Sequence, residues 1–287
     1  KEKGAIVPQI ASATYSLDPT HIDPTAEQNT AISAITADLD QFAVHTLYGV
    51  TGSGKTEVYL RVIENVLKQG KQALVLVPEI ALTPQTTARF IERFGAAGVV
   101  HSAASDLERF KTWIRVASGE HQILIGTRSA IFSNFRNLGV IVVDEEHDPS
   151  YKQDSNPRYH ARDTAIVRAH ETNATVILGS ATPSLESRRN AETGKYSYLA
   201  LRKRVNQRLL PIVKILDMNK ERKERKNFSI LSIDLRNAIR NRLERNEQVF
   251  LFLNRRGVAN YIYCKECGFV FYCKRCSVSL NFHSAEC

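Results

Sequence analysis

The sequence predicts an α/β fold built on a largely parallel sheet, and three observations carry that prediction. The stretch Gly49-Val50-Thr51-Gly52-Ser53-Gly54-Lys55-Thr56 matches G-x-x-x-x-G-K-[ST]. It stands between a β-favouring segment, residues 42–48, and a helix that places Val58, Leu60, Val62, Ile63, Val66 and Leu67 on one face before Gly70. Residues 73–77 and 140–143 are continuous apolar runs, as expected of strands covered on both faces, and strand-like and helix-like segments alternate between them.

Taken in order, residues 1–23 carry Pro8 and Pro19 with little periodicity and read as a linker from a missing upstream region. Thr25 caps an amphipathic helix running to Leu39, with Ala31, Ile32, Ile35 and Leu39 inward. Gln28 lies on it, where a glutamine can read an adenine edge or simply sit in solvent. Strand 73–77 ends at Pro78-Glu79, followed by a helix over 85–94, a short strand at 99–101 and a helix over 107–117. Strand 122–126 runs into Gly126-Thr127-Arg128-Ser129, whose one cation suits a phosphate backbone. The strand at 140–143 delivers Asp144-Glu145-Glu146-His147. After a polar loop and a helix through His170, strand 174–178 delivers Gly179-Ser180-Ala181-Thr182-Pro183-Ser184. Two further short strands are expected in 196–217, one of them at 212–216. A charged linker is expected at 219–227, a basic helix from Ser232 to Glu244, and a buried strand at 248–253 that opens a second sheet.

A chain of 287 residues with 43% hydrophobic content can build more than one core. No apolar run approaches the roughly 18 residues of a spanning helix, and none follows Lys1-Glu2-Lys3-Gly4 as in a leader, so an intracellular protein without a membrane partner is expected. The start without Met and the end at Cys287, inside a cysteine cluster, suggest a piece of a longer protein. Of the net charge of +9, an equal excess falls in 202–245, with fourteen Lys/Arg against five Asp/Glu. Such a stretch suits a nucleic acid or a solvated basic face.

Two anchors carry the chemistry. In the glycine loop, Gly49, Thr51, Gly52, Ser53 and Gly54 let backbone N–H groups wrap a phosphate, Lys55 reaches the β- and γ-phosphates, and Thr56 offers a hydroxyl to Mg²⁺. At the end of strand 140–143, Asp144 suits the metal and Glu145 the attacking water. Tyr151, Lys152, Arg158, Tyr159 and Arg162 then interleave aromatics with cations, a composition that can stack bases and pair phosphates. Finally, Cys264-x-x-Cys267 and Cys273-x-x-Cys276 are zinc knuckles. They could share one cramped Cys₄ ion, or hold one ion each with later cysteines, of which Cys287 would be the first.

The order of motifs resembles the PriA family, also called primosomal protein N′, of superfamily-two replication-restart DNA helicases. The matching stretches are G-V-T-G-S-G-K-T-E-V-Y from Gly49, L-V-P-E-I-A-L-T-P-Q from Leu76, I-G-T-R-S-A-I-F from Ile125, D-E-E-H from Asp144, G-S-A-T-P-S from Gly179, F-L-N-R-R-G from Phe252, and the knuckles after it. The resemblance covers residues 24–287. It implies a RecA-like lobe over 24–219, the start of a second RecA-like lobe over 220–263 and a partial zinc module over 264–287. It also implies ATP, Mg²⁺ and two Zn²⁺ per full-length chain, with Lys55, Asp144, Glu145 and His147 as catalytic residues and a loop after D-E-E-H that couples single-stranded DNA to hydrolysis. The implied activity is 3′ to 5′ movement at stalled forks in the bacterial cytoplasm, with forked DNA, primosome proteins and single-strand-binding protein as partners. An upstream DNA-binding region and a second lobe with an arginine finger are implied outside this chain, so ATP binding with weak hydrolysis is expected. Three other readings remain: an RNA helicase, a non-hydrolysing nucleotide and zinc scaffold, and a small-molecule kinase, which the cationic aromatic loop disfavours.

Overall fold

Apolar runs with no polar alternation become the middle of a parallel sheet, because only there are both faces of a strand covered. In the computed structural model the described residues are 23–101, 104–206 and 211–252, with 267, 269, 270 and 272. The chain divides into two compact units, Lys1–Leu210 and Pro211–Cys287.

In the first unit, α1 (Ala26–Ala37), β1 (Ala43–Gly49), α2 (Lys55–Lys68), β2 (Gln72–Leu76), α3 (Pro84–Phe94), β3 (Gly98–Val100), α4 (Asp106–Ser118), β4 (Ile123–Gly126) and β5 (Leu138–Asp144) follow one another. A hairpin of β6 (Lys152–Gln153) and β7 (Tyr159–His160) precedes α5 (Ala161–Thr172), β8 (Thr175–Ser180), α6 (Leu185–Glu192) and β9 (Ser197–Leu201). The sheet order is β3-β4-β2-β5-β8-β1-β9, and every pairing in it is parallel.

The period of two sorts each strand's residues into two cores. Ala73 and Val75 of β2 and Val140 and Val142 of β5 pack on one side with Val58, Val62, Ile63 and Val66 of α2. Leu74, Leu76, Ile141 and Val143 pack on the other with Ala161, Ala165 and Ala169 of α5. Small residues on α5 let that helix lie close to the sheet. As expected, Thr25 caps α1 in a capping box with Gln28.

This order places β5, β8 and β1 side by side, so the ends of three motif-bearing strands meet at the carboxyl edge of the sheet, where parallel α/β sheets bind ligands.

The second unit departs from expectation. Residues 212–216 are not a strand: Ile212, Val213 and Ile215 are 100%, 81% and 92% exposed. β-favouring side chains make a strand only when a partner strand accepts their backbone, and none is present there among the described residues. The same holds for 248–252 of the expected strand, while residue 253 lies outside the described residues. The charged stretch taken as linker folds as α7 (Met218–Arg225), and α8 (Ile233–Glu244) follows with Ser232 as its cap. The buried Glu221 explains the ordering: it accepts from Asn227 Nδ2 at 3.0 Å and from the N–H of Ile233 at 3.1 Å, joining the end of α7 to the start of α8.

Candidate active site

The glycine loop joins β1 to α2 and lines a cavity of about 430 Å³ with Gln28, Glu57, Leu60, Arg89, Asp144, Glu145 and Val205. Gly54 shows why glycine stands in the loop. Its φ of +80° lies in the left-handed region, and a Cβ there would meet Gln28 Nε2 at 2.3 Å. Gln28 is buried. Its Oε1 accepts from the N–H of Thr25 at 2.8 Å, and its Nε2 donates to the carbonyl oxygens of Ser53 at 3.0 Å and Gly54 at 3.3 Å. Burial overturns the expectation of a solvated helix glutamine: Gln28 braces the loop from beneath.

Lys55 Nζ donates to the Gly49 carbonyl at 3.0 Å and lies 3.5 Å from Glu145 Oε1. Thr51, Gly52, Ser53 and Thr56 line the same cavity. The Ser53 hydroxyl is buried without a hydrogen-bond partner among the described residues. Asp144 ends β5, and Glu145 turns the chain with φ +45°, a left-handed backbone that a residue with a side chain adopts under strain. That turn aims Asp144 and Glu145 into one cavity. Burial, and after it the charge of Glu145, push the Asp144 carboxyl above the usual carboxylate range, against the opposing effect of the Tyr59 hydrogen bond. Tyr59 donates to Asp144 Oδ1 at 2.9 Å, and burial followed by the Asp144 charge pushes its hydroxyl well above the usual value.

His147 Nδ1 lies 2.7 Å from Ser180 Oγ, and its Nε2 lies 3.5 Å from Thr182 Oγ1. D-E-E-H and G-S-A-T-P-S therefore touch directly. Glu146 joins them a second time from inside. It is fully buried and accepts from the N–H of Ser184 at 2.7 Å, from Ser187 Oγ at 3.0 Å and from Arg162 at 3.1 Å. Sequence reasoning assigned Glu146 and Tyr59 no role. Both stand inside the motif stretches, Tyr59 at the end of G-V-T-G-S-G-K-T-E-V-Y and Glu146 third in D-E-E-H, but their inward roles are marked only by burial beside the anchors.

The residues expected on DNA divide. Lys152 and Arg158 are exposed. Tyr159 is half-buried and meets the exposed Phe132 edge to face at 4.8 Å. Arg128 donates to the carbonyl oxygens of Ser150 and Lys152, both at 3.1 Å, and so holds the base of the hairpin. Two expectations are corrected. Tyr151 is fully buried, with its hydroxyl 2.6 Å from the Asp144 carbonyl oxygen and 3.0 Å from that of Leu76, and offers no face to a base. The Arg162 side chain is 10% exposed, with Nη1 donating to Glu146 and, at 2.7 Å, to Ser184, and Nε donating to Asp163 at 2.9 Å, so its fork is engaged inside the protein rather than presented to a phosphate. Aromatic and cationic character was legible in this loop. Which members turn inward was not, because Tyr151 and Arg162 flank the hairpin where the chain re-enters the core.

Of the knuckle cysteines, Cys267 is exposed, and Cys264, Cys273, Cys276 and Cys287 lie outside the described residues. Among the described residues no group of three metal-binding side chains occurs, and no helix is long and apolar enough to cross a membrane.

Comparison with known proteins follows the same lines. Residues 25–191 match the family model described as DEAD/DEAH box helicase. Replication restart protein PriA of Bacillus subtilis (strain 168) is 47% identical over 262 residues, which are 90% of this chain and 32% of that protein. Its counterpart in Chlamydia pneumoniae is 48% identical over 261 residues, 90% of this chain and 35% of that one, and the Haemophilus influenzae protein is 49% identical over 249 residues, 85% and 33%. The chain thus spans about a third of the length of these curated relatives. Among solved structures, RecG bound to a three-way DNA junction matches with a TM-score of 0.47 and 23% identity over 68% of this chain and 25% of that one. The resemblance to PriA read from the motifs holds over most of this sequence, and, with the family model matched over more than half of it, the chain belongs to the DEAD/DEAH box helicase family.

Proposed function

We propose that this chain supplies the nucleotide-binding lobe of an ATP-dependent DNA helicase of replication restart. The observation that carries the reading is the 3.5 Å approach of Lys55 Nζ to Glu145 Oε1, in a cavity also lined by Thr56 and Asp144. The residues present fit ATP and Mg²⁺. The glycine positions leave the loop's backbone bare, a buried Ser53 hydroxyl has no partner among the described residues, and Thr56 and Asp144 are hard oxygen donors suited to the ion.

In this reading Lys55 exchanges the Gly49 carbonyl for β- and γ-phosphate oxygens. Glu145, 36% exposed, is open to solvent and orients the attacking water. Mg²⁺, when bound, neutralises charge on the phosphoryl oxygens. His147, through Ser180, passes the state of Glu145 to the end of β8. On the nucleic-acid side Lys152 and Arg158 pair phosphates, and Tyr159 with Phe132 offers aromatic faces to bases. Gln28 meets an adenine edge by releasing its bonds to the loop.

The finer points rest on the relatives' name and on the resemblance: 3′ to 5′ movement, single-stranded and forked DNA, primosome proteins and single-strand-binding protein as partners, a bacterial cytoplasmic location, and two Zn²⁺ at the knuckles of Cys264, Cys267, Cys273 and Cys276 with Cys287. Completion of the site by an arginine of a second lobe implies that this chain alone binds nucleotide and turns it over slowly, since such an arginine is worth roughly 10³-fold or more. Fluorescent-nucleotide binding and phosphate release, measured on this chain and on the full-length protein with single-stranded DNA or RNA, test the reading. Binding by both, with DNA-stimulated turnover only in the longer protein, is expected. No nucleotide binding, or stimulation by RNA equal to that by DNA, would overturn it.

A further inference from the structure

Tyr59 lies four residues after Lys55, so it shares that lysine's side of α2 and faces the sheet one turn further in. It is 1% exposed, and its hydroxyl reaches the ends of two neighbouring strands at once. From β5, Asp144 Oδ1 accepts its proton at 2.9 Å. On β8, Gly179 is the residue paired with Asp144, and a Cβ built there would lie 1.7 Å from the Tyr59 oxygen and 2.8 Å from its Cζ. No side chain can coexist with this tyrosine at position 179. The glycine that opens G-S-A-T-P-S is therefore explained by the tyrosine across from it, since at this position no positive φ requires glycine.

Asp144 is held twice. The Tyr151 hydroxyl contacts its backbone carbonyl, and Tyr59 donates to one carboxylate oxygen, leaving Oδ2 with no side-chain hydrogen-bond partner among the described residues. A carboxylate at the end of a strand otherwise rotates between staggered positions, and fixing it before a ligand arrives removes that entropy from the binding step.

We propose that Tyr59 is a positioning residue for the metal-binding carboxylate: it fixes Asp144 in the orientation that receives Mg²⁺ with the nucleotide, and Gly179 is the vacancy that admits it. This rests on the assignment of Asp144 to the metal.

The test is the Mg²⁺ dependence of fluorescent-ATP binding by the full-length protein, with metal-free nucleotide affinity and thermal unfolding measured alongside. Tyr59→Phe keeps the ring and removes the hydroxyl. The Mg²⁺ concentration for half-maximal tightening is expected to rise about tenfold, as for loss of other groups that orient a metal ligand, while metal-free affinity stays within about twofold. Gly179→Ala, which displaces the ring instead of deleting the hydroxyl, is expected to shift the same midpoint in the same direction. The double variant should fall short of the product of the single effects, because both act through one contact. A wild-type Mg²⁺ midpoint in folded Tyr59→Phe overturns the proposal. Should that variant not fold, an unshifted midpoint in Gly179→Ala does the same. Asp144→Asn separates the two levels of inference: if it retains full Mg²⁺ dependence, the assignment of Asp144 fails, and Tyr59 is not then the point at issue.

Discussion

Lys55, the first residue of α2, and Glu145, the first residue beyond β5, stand 3.5 Å apart although they come from different crossovers of the fold. Their approach follows from the sheet order, in which β8 alone separates β5 from β1. It also separates the two charges by role. Glu145→Gln in the full-length protein should keep nucleotide binding and lower turnover by about 10²-fold or more, the scale of a lost general base. Lys55→Ala should lose binding itself. Equal loss of binding in both variants would show that Glu145 serves as a ligand rather than as an orienting group.

Glu146 joins the two motifs from the interior, so its removal should act on the fold. Glu146→Ala strips Arg162 of a buried counter-charge and leaves the Ser184 N–H unpaired. Breaking a buried pair in this way costs about 3–5 kcal/mol, so a marked drop in the denaturant midpoint is expected. A midpoint within experimental error of the parent would mean that Arg162 and Ser184 find solvent or other partners at little cost.

Tyr151 and Arg158 separate burial from contact. Tyr151→Phe removes the hydroxyl between Leu76 and Asp144 and should lower stability by about 1 kcal/mol with single-stranded DNA affinity unchanged. Arg158→Ala should weaken that affinity and reduce the slope of log K against log salt by about 0.7, with stability unchanged. DNA affinity that falls with Tyr151→Phe and not with Arg158→Ala would reverse the assignment of inner and outer faces of the hairpin.

His45, on β1, is 1% exposed and 3.3 Å from Asp38, and burial lowers its pKa more than Asp38 restores it. The unfolded chain therefore takes up a proton near pH 6.5 that the folded chain refuses. Stability is complete above that pH and is lost as the pH falls toward the lower folded value. His121 and His160, both lowered by burial, add to the same trend. The melting temperature should fall between pH 7.5 and 5.5, and fall less in His45→Gln. Identical pH profiles would exclude His45 from the effect.

Much of this protein was fixed locally. The glycine loop, its flanking strand and helix, the acidic turn after 140–143 and the caps at Thr25 and Ser232 are short-range features, set by periodicity, by the special conformations of glycine and by side chains that satisfy a helix's first N–H groups. The sequence alone therefore placed both anchors and most of the parallel sheet. Tertiary structure decided what depends on partners distant in the chain. It turned Tyr151 and Arg162 inward, set Glu146 beneath two motifs, brought Tyr59 against Asp144 and Gly179, and left 212–216 with no partner strand among the described residues. An aromatic, a carboxylate or an apolar run has the same local signature whether it faces solvent or core, and the difference lies in the groups that meet it once the chain has closed.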